Sequence, residues 1–262
     1  MLPRQRAVLI ATLLALAAAA WALIVWQAGG SSDGGMGLTM GLTGPVFLAT
    51  WVAMMVAMML PAALPVILTF ARIQSGKRAR GHDAVPVWLF VAAYLVVWAG
   101  AGAIAYAGAV VGDALAERSS WLADAAPRIG AVTLIAAGVY QLTPLKRTCL
   151  TACRSPMSWI MTSWRDGLLG AVRMGVEHGV YCLGCCWLLF VILFPLGMMN
   201  VGAVALVAAL IFAEKMLPAA RATAAVAALA LVAYGAAVLV RPQLLPTTTA
   251  DSGMASMTAA DR

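Results

Sequence analysis

The chain has 262 residues, 63% of them hydrophobic and only 10% charged, with a formal net charge of +7. Soluble globular domains carry roughly 25% charged residues, so this composition excludes water as the main solvent. The basic residues are too few and too dispersed to form a contiguous phosphate-binding surface, which excludes nucleic acid as a partner.

The chain opens with Arg4 and Arg6 ahead of an apolar run from Ala7 to Trp26. That run outlasts a usual signal-peptide core and further spans follow, so it reads as a retained first membrane helix. Cleavage near Ala28 would leave six spans instead of seven. A Gly-rich outer loop, 29–44, completes an N-terminal unit of residues 1–43.

A membrane domain of residues 44–240 follows, with apolar segments at about 44–70, 86–111, 128–144, 179–197, 199–217 and 222–240. Each approaches the roughly 20 apolar residues that a bilayer core requires of a helix. Arg128 weakens the fourth and must sit at an interface. The fifth and sixth are separated only around Gly197 to Asn200, which implies a tight hairpin or a segment that does not cross fully. From residue 241 the tail is rich in Thr, Ala and Ser and reads as flexible. The fold class is therefore all-α, a polytopic helical bundle of about seven helices.

Placing the N-terminus in the cytoplasm puts 13 Lys and Arg residues inside and leaves only Arg118, Arg128, Arg241 and Arg262 outside. This asymmetry predicts an N-in, C-out protein with seven spans.

Within the second segment, Met54/Met58 and Met55/Met59 stack at four-residue spacing. A methionine stripe is ordinarily flexible core packing; thioethers are also ligands that select Cu(I) over hard ions. Met36, Met40, Met198 and Met199 fall near the outer side. All five cysteines lie in one part of the chain, 144–187, which the charge bias puts on the cytoplasmic side. Their odd number and tight spacing argue against a disulfide framework. Pro144 ends the fourth segment, and a helical turn after it would place Cys149 and Cys153 on one face. Further on, His178, Cys182 and Cys185 share a helical face with Cys186 at its edge, near the expected cytoplasmic entrance of the fifth helix. Buried cysteine is usually a small hydrophobe, but four soft or borderline ligands pointing one way are harder to assign to packing. Glu214 and Lys215 end the sixth segment, either as an interfacial anchor or with Glu214 as a carboxylate near the thiols and Lys215 offsetting thiolate charge.

These motifs resemble a bacterial family of predicted metal-binding integral membrane proteins of unknown function, DUF2182. The resemblance covers about residues 44–220. It rests on Met54-Met55-Val-Ala-Met58-Met59-Leu-Pro61, on Tyr140 to Lys146 with Cys149, Cys153, Arg154, Ser155 and Pro156, on Gly179-Val-Tyr-Cys182-Leu-Gly-Cys185-Cys186-Trp187, and on Glu214-Lys215. It implies a membrane location and strengthens the metal reading.

The leading expectation is Cu(I) binding for delivery or translocation, with Cys149, Cys153, His178, Cys182, Cys185, Cys186, Met54, Met58 and Glu214 as metal-site residues. Zn(II) suits the same thiols. A non-catalytic assembly subunit of a larger membrane complex, with a membrane-protein partner or a second copy packed on its Gly/Ala faces, is an alternative. A membrane thiol oxidoreductase using Cys182-Leu-Gly-Cys185 is another. The chain lacks a phosphate-binding loop, a dinucleotide fingerprint, a zinc-protease motif and a nucleophile elbow, so no enzyme class is indicated.

Overall fold

The computed structural model describes residues 1–30 and 37–246. Among them the regular structure is helical throughout: α1 (Pro3–Gly30), α2 (Gly44–Ala79), α3 (Val87–Arg118), α4 (Ser120–Tyr140), α5 (Pro144–Arg154), α6 (Pro156–Ser163), α7 (Gly167–Val191), α8 (Leu193–Leu196), α9 (Val201–Met216) and α10 (Ala220–Val240). A 3-10 turn, Pro242–Leu244, follows α10. Met36, the centre of the Gly-rich loop and the tail beyond residue 246 lie outside the described residues.

Among the described residues, five helical spans are long and apolar enough to cross a membrane, consistent with a membrane protein: α1, α2, α3, α7 with α8, and α10. A sixth is added if Asp124–Tyr140 and Pro144–Arg154, bent by 64° at their junction, are one broken span. All seven expected segments are helical, but α9 has 16 residues. At 1.5 Å per residue it spans about 24 Å, short of the roughly 30 Å hydrocarbon core.

Proline shapes these boundaries. Pro45, Pro144 and Pro156 stand in the first turns of α2, α5 and α6, where a missing N–H costs nothing. Thr143 caps α5 by accepting from the Lys146 N–H, and Asn200 caps α9 by accepting from the Ala203 N–H at 3.1 Å. Between α8 and α9 the chain reverses through Gly197, whose φ of +88° a side chain would strain.

The helices pack chiefly in the pairs α4 on α10, α3 on α7, α1 on α2 and α2 on α3. Without a hydrophobic driving force in lipid, such pairs depend on close backbone approach. Gly175 supplies it for α3 and α7, since a Cβ there would stand 2.5 Å from the Phe90 carbonyl oxygen. Trp51 of α2 donates its indole N–H to the Trp98 carbonyl of α3 at 3.0 Å. At the far end of α2, Lys77 pairs with Asp166 just before α7. That contact and the Trp164 N–H hold the exposed Asp166 carboxyl below the usual carboxylate range.

α7 begins at Gly167, twelve residues before the expected boundary. Arg173 and Glu177 interrupt the apolar run, but they neutralise each other one turn apart at 3.0 Å, and the helix continues through them. Consequently the thiols of α7 do not stand at a helix entrance.

Candidate metal centre

Cys182 sits about four turns into α7 and is completely buried. Its sulfur is the hub of a cluster drawn from five helices. Lys215 of α9 places its ammonium 2.9 Å from it. The Tyr94 hydroxyl of α3 lies at 3.0 Å and the Met59 thioether of α2 at 3.9 Å. The Cys153 thiol of α5 lies close to those of Cys182 and Cys185. Cys185 and Cys186 turn back to the Cys182 carbonyl, at 3.1 and 2.8 Å.

The four-residue spacing of Cys149 and Cys153 is realised as the amphipathic helix α5, with both thiols buried. Cys149 lies against Gly184, where an added Cβ would be 2.8 Å from its sulfur. The Tyr140 hydroxyl donates to the Gly184 carbonyl and ties α4 to the same turn of α7. All five thiols are free.

Glu214 is placed differently from the expectation that it supplies a carboxylate to the thiols. Its carboxylate accepts from Lys146 at 2.7 Å and from the Gln141 side-chain amide at 3.0 Å. Lys146 also donates to Gln141 Oε1. Lys146 and Glu214 are only 1% and 2% exposed, and the Glu214 carbonyl accepts from Arg154. The reason is the helical register of α9: adjacent residues point about 100° apart, so Glu214 meets α5 while Lys215 meets the sulfurs.

Met54 and Met58 are buried in the core. The thioether in contact with the thiols is Met59, which also lies 3.9 Å from the Lys215 ammonium. Met198 is buried and Met40 half-buried, both on loops away from the hub.

His178, one turn before Cys182, is 1% exposed and stands among the rings of Trp159, Tyr94 and Phe90, at centroid distances of 4.9, 5.8 and 6.2 Å. Its Nδ1 has no hydrogen-bond partner among the described residues. A buried polar atom left unpaired is costly and calls for an explanation.

Among the described residues, no three His, Cys, Asp or Glu side chains already stand in a metal-holding arrangement. The donors near the hub are sulfur, with one uncommitted imidazole nitrogen, and the nearby carboxylate is committed to Lys146. Such a set suits a soft monovalent ion and is poor for hard cations. Residues missed in the sequence are Lys146, Gln141, Tyr94 and the choice of Met59. Gln141 and Lys146 stand in a stretch that carries the resemblance, but only the burial of Lys146 against Glu214 gives them a role.

The chain matches the PpoB2 family, described as copper chaperone, over residues 48–238. No curated protein and no solved structure matches it.

Proposed function

The chain is a member of that copper-chaperone family, and we propose that it is an integral membrane chaperone that holds Cu(I) as cargo between α2, α5, α7 and α9. Cys182 and Cys185 are the principal thiolates, Cys153 is the third sulfur, and Met59 is the weak thioether partner. Cys186 and Cys149 flank this set as exchange ligands. Met54 and Met58 form the packed wall behind it. The convergence of Cys153, Cys182 and Cys185 with Met59 and Lys215 in the buried interior carries this reading.

Charge balance supports it. Lys146 and Glu214 cancel, which leaves the Lys215 ammonium as a buried positive charge that needs a partner. A thiolate at Cys182 supplies one. Two thiolates with one Cu(I) carry a net single negative charge, so Lys215 makes the loaded centre neutral. A divalent ion on the same two thiolates would leave a surplus positive charge. Loading displaces thiol protons, so affinity rises with pH.

The resemblance to a bacterial family supports an inner-membrane location, and the charge asymmetry of the sequence supports a cytoplasmic N-terminus. Burial of every donor supports delivery to a membrane partner that opens the bundle, rather than exchange with free solution.

Anaerobic Cu(I) titration of the detergent-purified chain tests the site. The Cys182→Ser/Cys185→Ser variant is expected to lose the tightest equivalent, and unchanged stoichiometry and affinity would overturn the assignment.

A further inference from the structure

Two adjoining cavities lie at one end of the bundle, away from the thiols. The first, about 410 Å³, opens between the start of α1, the end of α2 and the start of α3, with Arg4, Arg78 and Trp88 in its lining. The second, about 400 Å³, is lined by Arg6 and Arg72 together with Pro3, Ala7 and Ile10. Met1 borders both.

Neither lining contains an Asp or Glu. The ion pairs among the described residues are Lys77–Asp166, Lys146–Glu214, Arg165–Glu177 and Arg173–Glu177. Arg4 and Arg78 thus line one cavity and Arg6 and Arg72 the other, with no carboxylate of the described residues in either lining. Each lining presents two positive charges that an anion can offset.

The frame around the first cavity is preformed. Buried Gln74 accepts from the Val85 N–H at 3.1 Å, which fixes the α2–α3 connection beside Trp88. Val8, Leu9 and Val87 continue the lining as an apolar wall. Charged groups at the ends of spanning helices, a half-exposed tryptophan at the same level and an apolar wall beyond are the features of a headgroup seat with an acyl-chain track.

We propose that these paired cavities bind the phosphate of an acidic phospholipid, held by Arg4 and Arg78 in one and by Arg6 and Arg72 in the other. The lipid clamps α1 to the α2–α3 end of the bundle. The site is independent of copper, since none of its residues touches the thiol cluster.

The test uses the full chain, delipidated and returned to nanodiscs of phosphatidylcholine alone or with phosphatidylglycerol. Thermal melting and native mass spectrometry are the readouts. Phosphatidylglycerol is expected to raise the melting temperature and remain as an adduct. Arg4→Gln/Arg78→Gln and Arg6→Gln/Arg72→Gln are each expected to weaken retention by about thirtyfold, as for removal of two headgroup-facing charges. Arg4→Lys/Arg78→Lys, which keeps both charges, retains it, as does Arg128→Gln elsewhere on the chain. Equal adducts in the Gln variants and the parent chain would overturn the proposal. So would an equal stabilisation by inorganic phosphate in phosphatidylcholine discs, which would mark a free-anion site instead.

Discussion

The Lys215 ammonium lies 2.9 Å from the Cys182 sulfur, while the residue before it, Glu214, is bound 2.7 Å from Lys146. The end of one short helix thus meets α5 with a negative charge and α7 with a positive one. The first contact fixes the small thiol-bearing helix α5, and the second sets the charge available to the sulfurs.

Replacing Lys215 by Met keeps length and removes the charge. A charge pair at about 4 Å is worth several kcal/mol at an effective dielectric near 20. Cu(I) affinity is therefore expected to fall by at least about tenfold, because the loaded centre would keep an unbalanced negative charge. Lys215→Arg should retain more of it. Competition against a Cu(I) chelator under anaerobic conditions measures the difference, and an unchanged Lys215→Met affinity would refute the charge-balance argument.

Glu214→Gln leaves the Lys146 ammonium buried without a counter-charge, a situation that costs about 3–5 kcal/mol. The variant should melt well below the parent chain in detergent. The double variant Lys146→Met/Glu214→Leu should recover most of that loss, since replacing both partners removes the uncompensated charge. Recovery to no better than the Glu214→Gln level would show that the pair does more than neutralise itself.

Gly175→Ala tests the helix contact that positions α7. The added methyl would stand 2.5 Å from a backbone carbonyl of α3, which cannot swing aside as a side chain would. Overpacking of this kind costs about 1–3 kcal/mol. A melting shift is expected with Cu(I) stoichiometry intact at low temperature.

The seven expected helical segments were legible in the sequence because each is an apolar run, and the α7 thiols because spacings of three and four residues put His178, Cys182 and Cys185 on one face. The start of α7 was not, since Arg173 and Glu177 resemble a loop until their mutual pairing is known. Nor was the choice among four methionines: periodicity makes Met54, Met55, Met58 and Met59 equivalent. Only the rotation of α2 against α7 and α9 places Met59 beside Cys182. Glu214 was read into the thiol site because it ends the right helix, whereas its partner Lys146 becomes visible only once α5 folds back onto the bundle.

That rotation of α2 makes a prediction of its own. Met59→Leu preserves volume and removes the thioether that touches both Cys182 and Lys215. Volume-conserving swaps of this type usually cost less than about 1.5 kcal/mol in stability, so the protein should fold. Cu(I) should be held more weakly than in Met54→Leu, which changes only the packed wall. Equal affinities in the two variants would remove Met59 from the site.

On the proposed function, His178 offers a test that distinguishes holding the cargo from passing it on. Its Nδ1 is buried and unpartnered, one turn from Cys182, where an incoming neutral ligand would be needed as a thiolate lets go. His178→Phe keeps an aromatic ring among Trp159, Tyr94 and Phe90 and removes both ring nitrogens. Cu(I) stoichiometry and the sulfur-only first coordination shell should persist by X-ray absorption, because the thiols remain. Transfer to an added acceptor chelator, followed by stopped-flow absorbance, should slow. A lost copper equivalent would instead make His178 a permanent ligand, and an unchanged transfer rate would leave its free nitrogen without a part in copper exchange.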